Sequence, residues 1–286
     1  MKTAQIQALI AIGFLGLTAC APAKFSMNGL DSNGNPTVTS TGGPPVICDP
    51  FDSTNIISAT SGLQGSIYYL DASQPRYTNS IDYINNGHKV NADLFMNSVN
   101  VPTRIFSYGF VTDGGLTLVD NSNQLLVEYF GLKLDSKIKL GASDDEGDYQ
   151  LALLADDGAT LSLDDGSGTF QQIVGDEGEH PTQFACASHV LSMDRQSRIP
   201  IDLTYFQGPR YHIALMMLWR KISAPQSLSD KECGNSGNDY FFSFDQTTGK
   251  SVAQPAYLGL LMRGWKPLSA ENFELQSGSN KCATTH

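Results

Sequence analysis

From Ser66 onward the chain alternates short apolar runs with turn formers. The runs are SIYYL (66–70), TRIFSYGF (103–110), LTLVD (116–120), QLLVEYFGLKL (124–134), KIKLG (137–141), YQLALLA (149–155), ATLSLD (159–164), TFQQIV (169–174), HVLSM (189–193), IPIDLTYF (199–206) and YHIALMMLW (211–219). The separators are Asp113-Gly114-Gly115, Asn121-Ser122-Asn123, Asp145-Glu146-Gly147-Asp148, Asp165-Gly166-Ser167-Gly168 and Gly208-Pro209, residues that favour tight turns. In IDLTYF, Ile201, Leu203 and Tyr205 fall on one face of a strand and Asp202, Thr204 and Phe206 on the other. Sustained helical periodicity is absent, so the pattern predicts an all-β fold. After Trp219 the chain becomes loop-rich, and it closes with an apolar run, AYLGLLMRGW (256–265), expected to dock on the β core.

The first residues have a different pattern. Lys2 precedes an apolar stretch from Ala8 to Leu17, then small residues lead to Cys20. Such a stretch is short for a membrane span and has the flanks of a secretory signal. Leu17-Thr18-Ala19-Cys20 looks like a bacterial lipobox, which predicts a signal peptide over 1–19 and acylation of Cys20 with chains such as palmitate; an ordinary cut nearby is the alternative. Ala21, rather than Asp, after the cysteine points to export to the outer membrane or cell surface. From there to Cys48 the chain is rich in Gly, Ser, Thr, Asn and Pro, and it is predicted to be a flexible tether over 20–48. One domain is expected over 49–286, with a loop-rich extension at 221–286.

Removal of residues 1–19 leaves 17 basic and 29 acidic side chains, a net charge of −12. That balance argues against nucleic acid or an anionic lipid surface as partner and is compatible with divalent cations. Besides Cys20 there are four cysteines, Cys48, Cys186, Cys233 and Cys282, with no CxxC pair. An even number in an exported chain favours disulfides over zinc, with three connectivities open. The pairing of Cys48 with Cys282 and Cys186 with Cys233 is preferred, because the first would tie together the two ends of one domain.

Gly62–Leu70, the run ending VEYFGLKL, GDYQLALLADDGATLSLD (147–164) and IPIDLTYFQGPRYHIALMMLWR (199–220) together resemble the PA-fourteen family, named after the N-terminal fragment of anthrax protective antigen. The resemblance covers about 62–220, and its most specific part is Gly147-x-Tyr149, six intervening residues and Asp156-Asp157-Gly158, followed later by a strand pair ending in Leu218-Trp219. It implies a β-barrel or β-sandwich. In lectin members, consecutive aspartates joined by a cis peptide hold one Ca²⁺, and sugar hydroxyls complete the ion's shell; Asp156 and Asp157 fall on those positions. A trans strand would point the two carboxylates to opposite faces, whereas a cis bond turns them to the same side. Calcium takes six to eight oxygen ligands, so two carboxylates leave room for vicinal hydroxyls. The loop FQGPRY offers Gln207 as a further metal ligand, with Arg210 and Tyr211 shaping a sugar pocket. It is shorter than in the yeast adhesins and lacks their Asn. Gly158 is expected where a Cβ would be costly.

Each of these residues also has a plainer reading. Asp-Asp-Gly alone is a common turn, and Asp164–Gly168 reads as a solvated hairpin tip. GDEGEH (175–180) could line the rim of the same site but reads more simply as a charged exposed loop, and Tyr68, Tyr69, Tyr129, Phe130, Tyr205 and Trp219 read as core. His88, His180, His189 and His212 are scattered without metal-ligand spacing. No G-x-S-x-G or H-E-x-x-H is present, and adjacent aspartates cannot flank a scissile glycosidic bond, so an enzyme is not expected. The sequence therefore points to a surface-anchored carbohydrate-binding or adhesion module with a glycan or cell-surface ligand. The alternative is an envelope lipoprotein that recognises another protein and has no metal or sugar site.

Overall fold

The computed structural model describes residues 43–52, 58–164, 166–210, 212–223 and 228–283. The expected signal peptide, Cys20, most of the expected tether, Asp165 and Tyr211 lie outside the described residues. Strands run in chain order β1 (Val46–Cys48), β2 (Leu63–Tyr69), β3 (His88–Lys89), β4 (Asp93–Met96), β5 (Asn100–Ile105), β6 (Phe130–Ile138), β7 (Gly147–Asp156) and β8 (Ala159–Leu163). They continue as β9 (Gln171–Asp176), β10 (Gln183–Met193), β11 (Ile199–Gln207), β12 (His212–Ile222), β13 (Phe242–Asp245), β14 (Lys250–Ala253), β15 (Lys266–Pro267) and β16 (Phe273–Glu274). A short helix, α1 (Ser80–Asn86), follows β2, and α2 (Pro255–Met262) lies in the C-terminal extension.

Two open sheets and a two-stranded hairpin, β13-β14, result, and no closed barrel forms among the described residues. The larger has the order β1-β4-β2-β6-β11-β8-β9, with β3 and β16 on its flanks; the smaller runs β10-β7-β12-β15, with β5 also paired to β12. One hydrophobic cluster joins their facing sides: Leu132 and Leu134 of β6 and Leu203 and Tyr205 of β11 with Leu151 and Leu153 of β7 and Leu215, Met217 and Trp219 of β12. The opposite side of the larger sheet is polar along the middle of β6 and β11, where Lys133 pairs with Asp202 at 3.0 Å, and is covered at the end of β11, where Phe206 packs with Tyr83 of α1.

The smaller sheet is covered on both faces, which explains why β7 and β12 read as continuous apolar runs. Ala152 and Leu154 of β7 and Ala214, Met216 and Leu218 of β12 form a second cluster with Phe241, Phe242, Tyr257, Leu260 and Trp265 of the extension. AYLGLLMRGW therefore docks as expected, partly as helix α2. A buried polar stitch fastens it. Arg220 and Arg263 both reach Asp230, at 3.5 and 2.8 Å, and the Trp265 indole donates to the same carboxylate at 3.0 Å. Burial opposes the charge on Asp230, but these donors hold its carboxyl down at about 2. Both preferred disulfides are present: Cys186–Cys233 links β10 to the extension, and Cys48–Cys282 links the two ends of the domain, each with Cα atoms 5.6 Å apart.

Four features depart from the sequence reading. Strand structure is present already at Val46–Cys48, where β1 pairs in parallel with β4, inside the stretch expected as tether. TRIFSYGF ends its strand at Ile105, because Phe106 and Phe110 turn in to pack edge-on against each other and against Phe130. LTLVD joins neither sheet; it makes only local bridges, Val111 with Thr117 and Val119 with Leu125, and leaves Leu116 and Val119 exposed. Helix α1 was not expected, since its seven mostly polar residues carry no periodic signal; Tyr83 anchors it by stacking on Phe206 at 4.9 Å.

Docking of the extension predicts a contrast within α2. Leu260→Ala, at a fully buried position, is expected to cost about 2–5 kcal/mol in denaturant unfolding. Leu258→Ala, on the exposed side, should cost less than about 0.5 kcal/mol. Equal, small losses at both positions would show that the extension is not part of the core.

Candidate functional site

At one end of the sandwich the β7–β8, β9–β10 and β11–β12 connections converge on a cavity of about 450 Å³, within the range of ligand pockets. Asp156 ends β7 opposite Ala214 of β12, and the peptide from it to Asp157 is cis. Both side chains line this one cavity and are nearly inaccessible, 6% and 5% exposed.

Asp157 joins all three connections. Its Oδ1 accepts the His180 backbone N–H at 2.9 Å and its Oδ2 accepts that of Gly208 at 2.8 Å. Asp156 Oδ2 accepts the Thr182 hydroxyl at 3.2 Å, and Thr182 meets Thr103 at 2.8 Å. Close approach needs glycine at two places. A Cβ on Gly208 would lie 3.0 Å from Asp157 Oδ2 and 3.2 Å from Glu179, and one on Gly158 would lie 2.5 Å from the Phe206 ring. The cost foreseen at Gly158 is thus one of crowding.

The candidates divide. Arg210 stands on the cavity rim, held by Glu128 at 2.6 Å. Gln207 does not reach the lining. It is buried behind it, accepting the Tyr205 hydroxyl at 2.7 Å and donating to the Pro209 carbonyl at 3.0 Å, so that it braces the β11–β12 turn. Glu179, His180, His212 and Asn238 line the cavity without having been picked out as site residues. GDEGEH is accordingly not a purely solvated loop: Glu177 turns inward to accept the Ser80 N–H at 2.9 Å and hydroxyl at 2.8 Å, while Glu179 stands over the cavity. Its acidic density was the available signal. Asn238 gave none, because it arrives from the extension, where Gly237 N–H bonds to the Thr182 carbonyl at 3.0 Å. The Asp164 turn is the exposed hairpin tip expected, its Oδ1 accepting the N–H groups of Gly166 and Gly168.

Burial is the main influence on the pair. It pushes the Asp156 carboxyl up to about 7, reinforced by the charge of Asp157. Asp157 is pushed to about 6 by burial, opposed by the two backbone donors. Among the described residues no Lys, Arg or His forms an ion pair with either carboxylate, and no three His, Cys, Asp or Glu side chains close into a metal-holding group. Two buried carboxylates without a cation, with open volume beside them, nonetheless fit a hard divalent ion whose other ligands are carbonyls, water or a bound hydroxyl.

No family model and no curated protein matches the chain. Solved structures do. A PA14 sugar-binding domain from an RTX adhesin is 18% identical, over 57% of this chain and 90% of that one, with a TM-score of 0.40. The PA14 domain of the MpAFP antifreeze protein is 12% identical, over 61% and 89%, with a TM-score of 0.40. The epithelial adhesin 6 A domain from Candida glabrata, solved with Galb1-3GlcNAc, is 18% identical, over 73% and 97%, with a TM-score of 0.38. At these identities the likeness is one of fold.

The raised carboxyls set a pH dependence. A folded-state value of about 7 against 3.8 means that the stability Asp156 contributes is complete below pH 3.8 and is lost as pH rises through 7. In chelator, Asp156→Asn should therefore be more stable than wild type at pH 8, by on the order of 2 kcal/mol, and lose that advantage towards pH 4. Unfolding midpoints across that range check it; parallel profiles would refute it.

Proposed function

We propose that the protein is a cell-surface binding module, lipid-anchored through Cys20, that captures glycans through a calcium ion held by Asp156 and Asp157. The observation that carries this reading is the placement of two adjacent, buried carboxylates on one cavity wall that form no ion pair among the described residues, with His180 as the one cationic influence on Asp157. An uncompensated pair of this kind is costly; protonation relieves it at low pH, and a divalent cation would relieve it at neutral pH and above. Bound there, the ion would offer its open coordination positions to vicinal sugar hydroxyls. Glu179 and Asn238 on the rim supply acceptors and donors for the rest of a ring, while Arg210, steadied by Glu128, supplies a donor.

Binding is favoured over catalysis by the same geometry. Both carboxylates end one strand and line one wall, whereas glycoside hydrolysis needs two that face each other across the bond. The anchor at the end of a polar tether and the net charge of −12 suit a module displayed away from an anionic surface. Among the described residues no helix is long and apolar enough to cross a membrane.

One observation favours the second reading, an envelope lipoprotein that recognises protein: both oxygens of Asp157 are engaged by backbone N–H groups, as in a purely structural turn. The two readings separate at Asp156, whose carboxyl is held by Thr182 alone, through its hydroxyl and backbone N–H. Calcium at about a hundred times its dissociation constant should stabilise the full-length protein by about 2.7 kcal/mol. Asp156→Asn should abolish that gain in thermal unfolding, and with it calcium-dependent retention on a glycan array. A wild type indifferent to calcium and chelator alike would rule out the metal site.

A further inference from the structure

A second cavity, of about 400 Å³, opens beside the acidic one. The link between them is a strand pair. His212 of β12 lines the first cavity, and its partner across the ladder, Ile105 of β5, lines the second. The two cavities thus lie on neighbouring strands at the same end of the smaller sheet.

Their chemistry is opposite. The second cavity is lined by Phe106, Tyr108 and Phe244, and among the described residues its one charged lining side chain is Arg104. Arg104 spends one donor, Nη1, on the Phe51 carbonyl at 2.9 Å; its other N–H groups make no hydrogen bond among the described residues. Phe106 forms a firm back wall, with Phe51 and Phe110 rings both 5.3 Å away. Tyr108, by contrast, is 83% exposed, far more open than a large aromatic ring whose only role is packing. Phe244 comes from the extension: its cross-strand partner Ser251 donates to the Thr103 carbonyl at 2.5 Å, which holds the β13–β14 hairpin against β5. The fold therefore spends a hairpin to close a pocket around a guanidinium that still has donors to offer.

We propose that this cavity is a second binding site, for a carboxylate-bearing sugar such as a uronic acid. A guanidinium with free N–H groups matches a carboxylate in charge and fork geometry. Tyr108 and Phe244 offer flat apolar surfaces to the C–H face of the ring, and Tyr108 adds a hydroxyl. The saccharide class of the ligand rests on the glycan reading above; the preference for an anion rests on Arg104. A ligand joining a neutral diol at the aspartate pair to an acidic sugar at Arg104 would use both cavities, each matched in charge.

The test titrates methyl β-D-glucuronide and methyl β-D-glucoside into the full-length protein by ligand-observed NMR in chelator, where the aspartate pair holds no cation. The glucuronide should bind about tenfold more tightly than the glucoside. Arg104→Gln should equalise the two, and Tyr108→Ala, at an exposed position that leaves the fold intact, should weaken both. Equal binding of the two by wild type, or a preference that survives Arg104→Gln, would overturn the proposal. Calcium-dependent glycan binding is scored separately, so that its loss with the glucuronide preference intact would remove only the metal reading, and the converse only this one.

Discussion

The pairing of β7 with β12, covered by protein on both faces, is the constraint from which the rest of the molecule follows. Its nine-residue register, from Ala214 opposite Asp156 to Ile222 opposite Asp148, sets where both strands stop. Because one side packs on the larger sheet and the other on the extension, a shift by one residue would exchange Leu153 for Leu154 and Met217 for Met216 between two differently shaped clusters. That penalty fixes the ends as firmly as the middle. The ends carry Asp156 and His212, so the position of the acidic cavity is a by-product of core packing.

At that end the two neighbouring carboxylates have different surroundings. Asp157 gives both oxygens to backbone N–H groups and draws the three connections together. Asp156 inherits the burial this produces, and its carboxyl is pushed to about 7 by desolvation and by Asp157 itself. The turn reading and the metal reading of Asp-Asp-Gly are therefore not exclusive. A turn that tight is what desolvates the second carboxylate.

Much of this was legible in the chain. Alternation in IDLTYF and its loss in YQLALLA and YHIALMMLW mark a sheet buried on one face and a sheet buried on both, the latter visible only once something is known to cover it. Asp156, Asp157 and Gly158 stood out because charge and glycine interrupt an apolar run. Gln207 was misplaced behind the wall because neighbours along a hairpin share a loop but not a direction: its amide turns to Tyr205 and Pro209 instead of the cavity. Asn238 and Phe244 were invisible for a different reason. They are distant in sequence from the strands they serve, and tertiary links such as Cys186–Cys233 and the hydrogen bonds to Thr182 and Thr103 bring them there.

The extension is thus more than a cover. Its apolar residues close the outer face of the smaller sheet, and the loops that join them have no such duty, so they are free to carry side chains to the rims of both cavities. Asn238 reaches the acidic cavity by following the start of β10, where Gln183 bridges Ser236 and Phe184 exchanges hydrogen bonds with Gly234 and Asn235. Phe244 reaches the aromatic cavity through the hairpin on β5. The two routes leave from one packed cluster, through Phe184, Phe241 and Trp265, whose rings lie 5–6 Å apart. The cavity-bearing surface at this end is consequently composite: the paired strands supply its charge, and the extension supplies part of its shape.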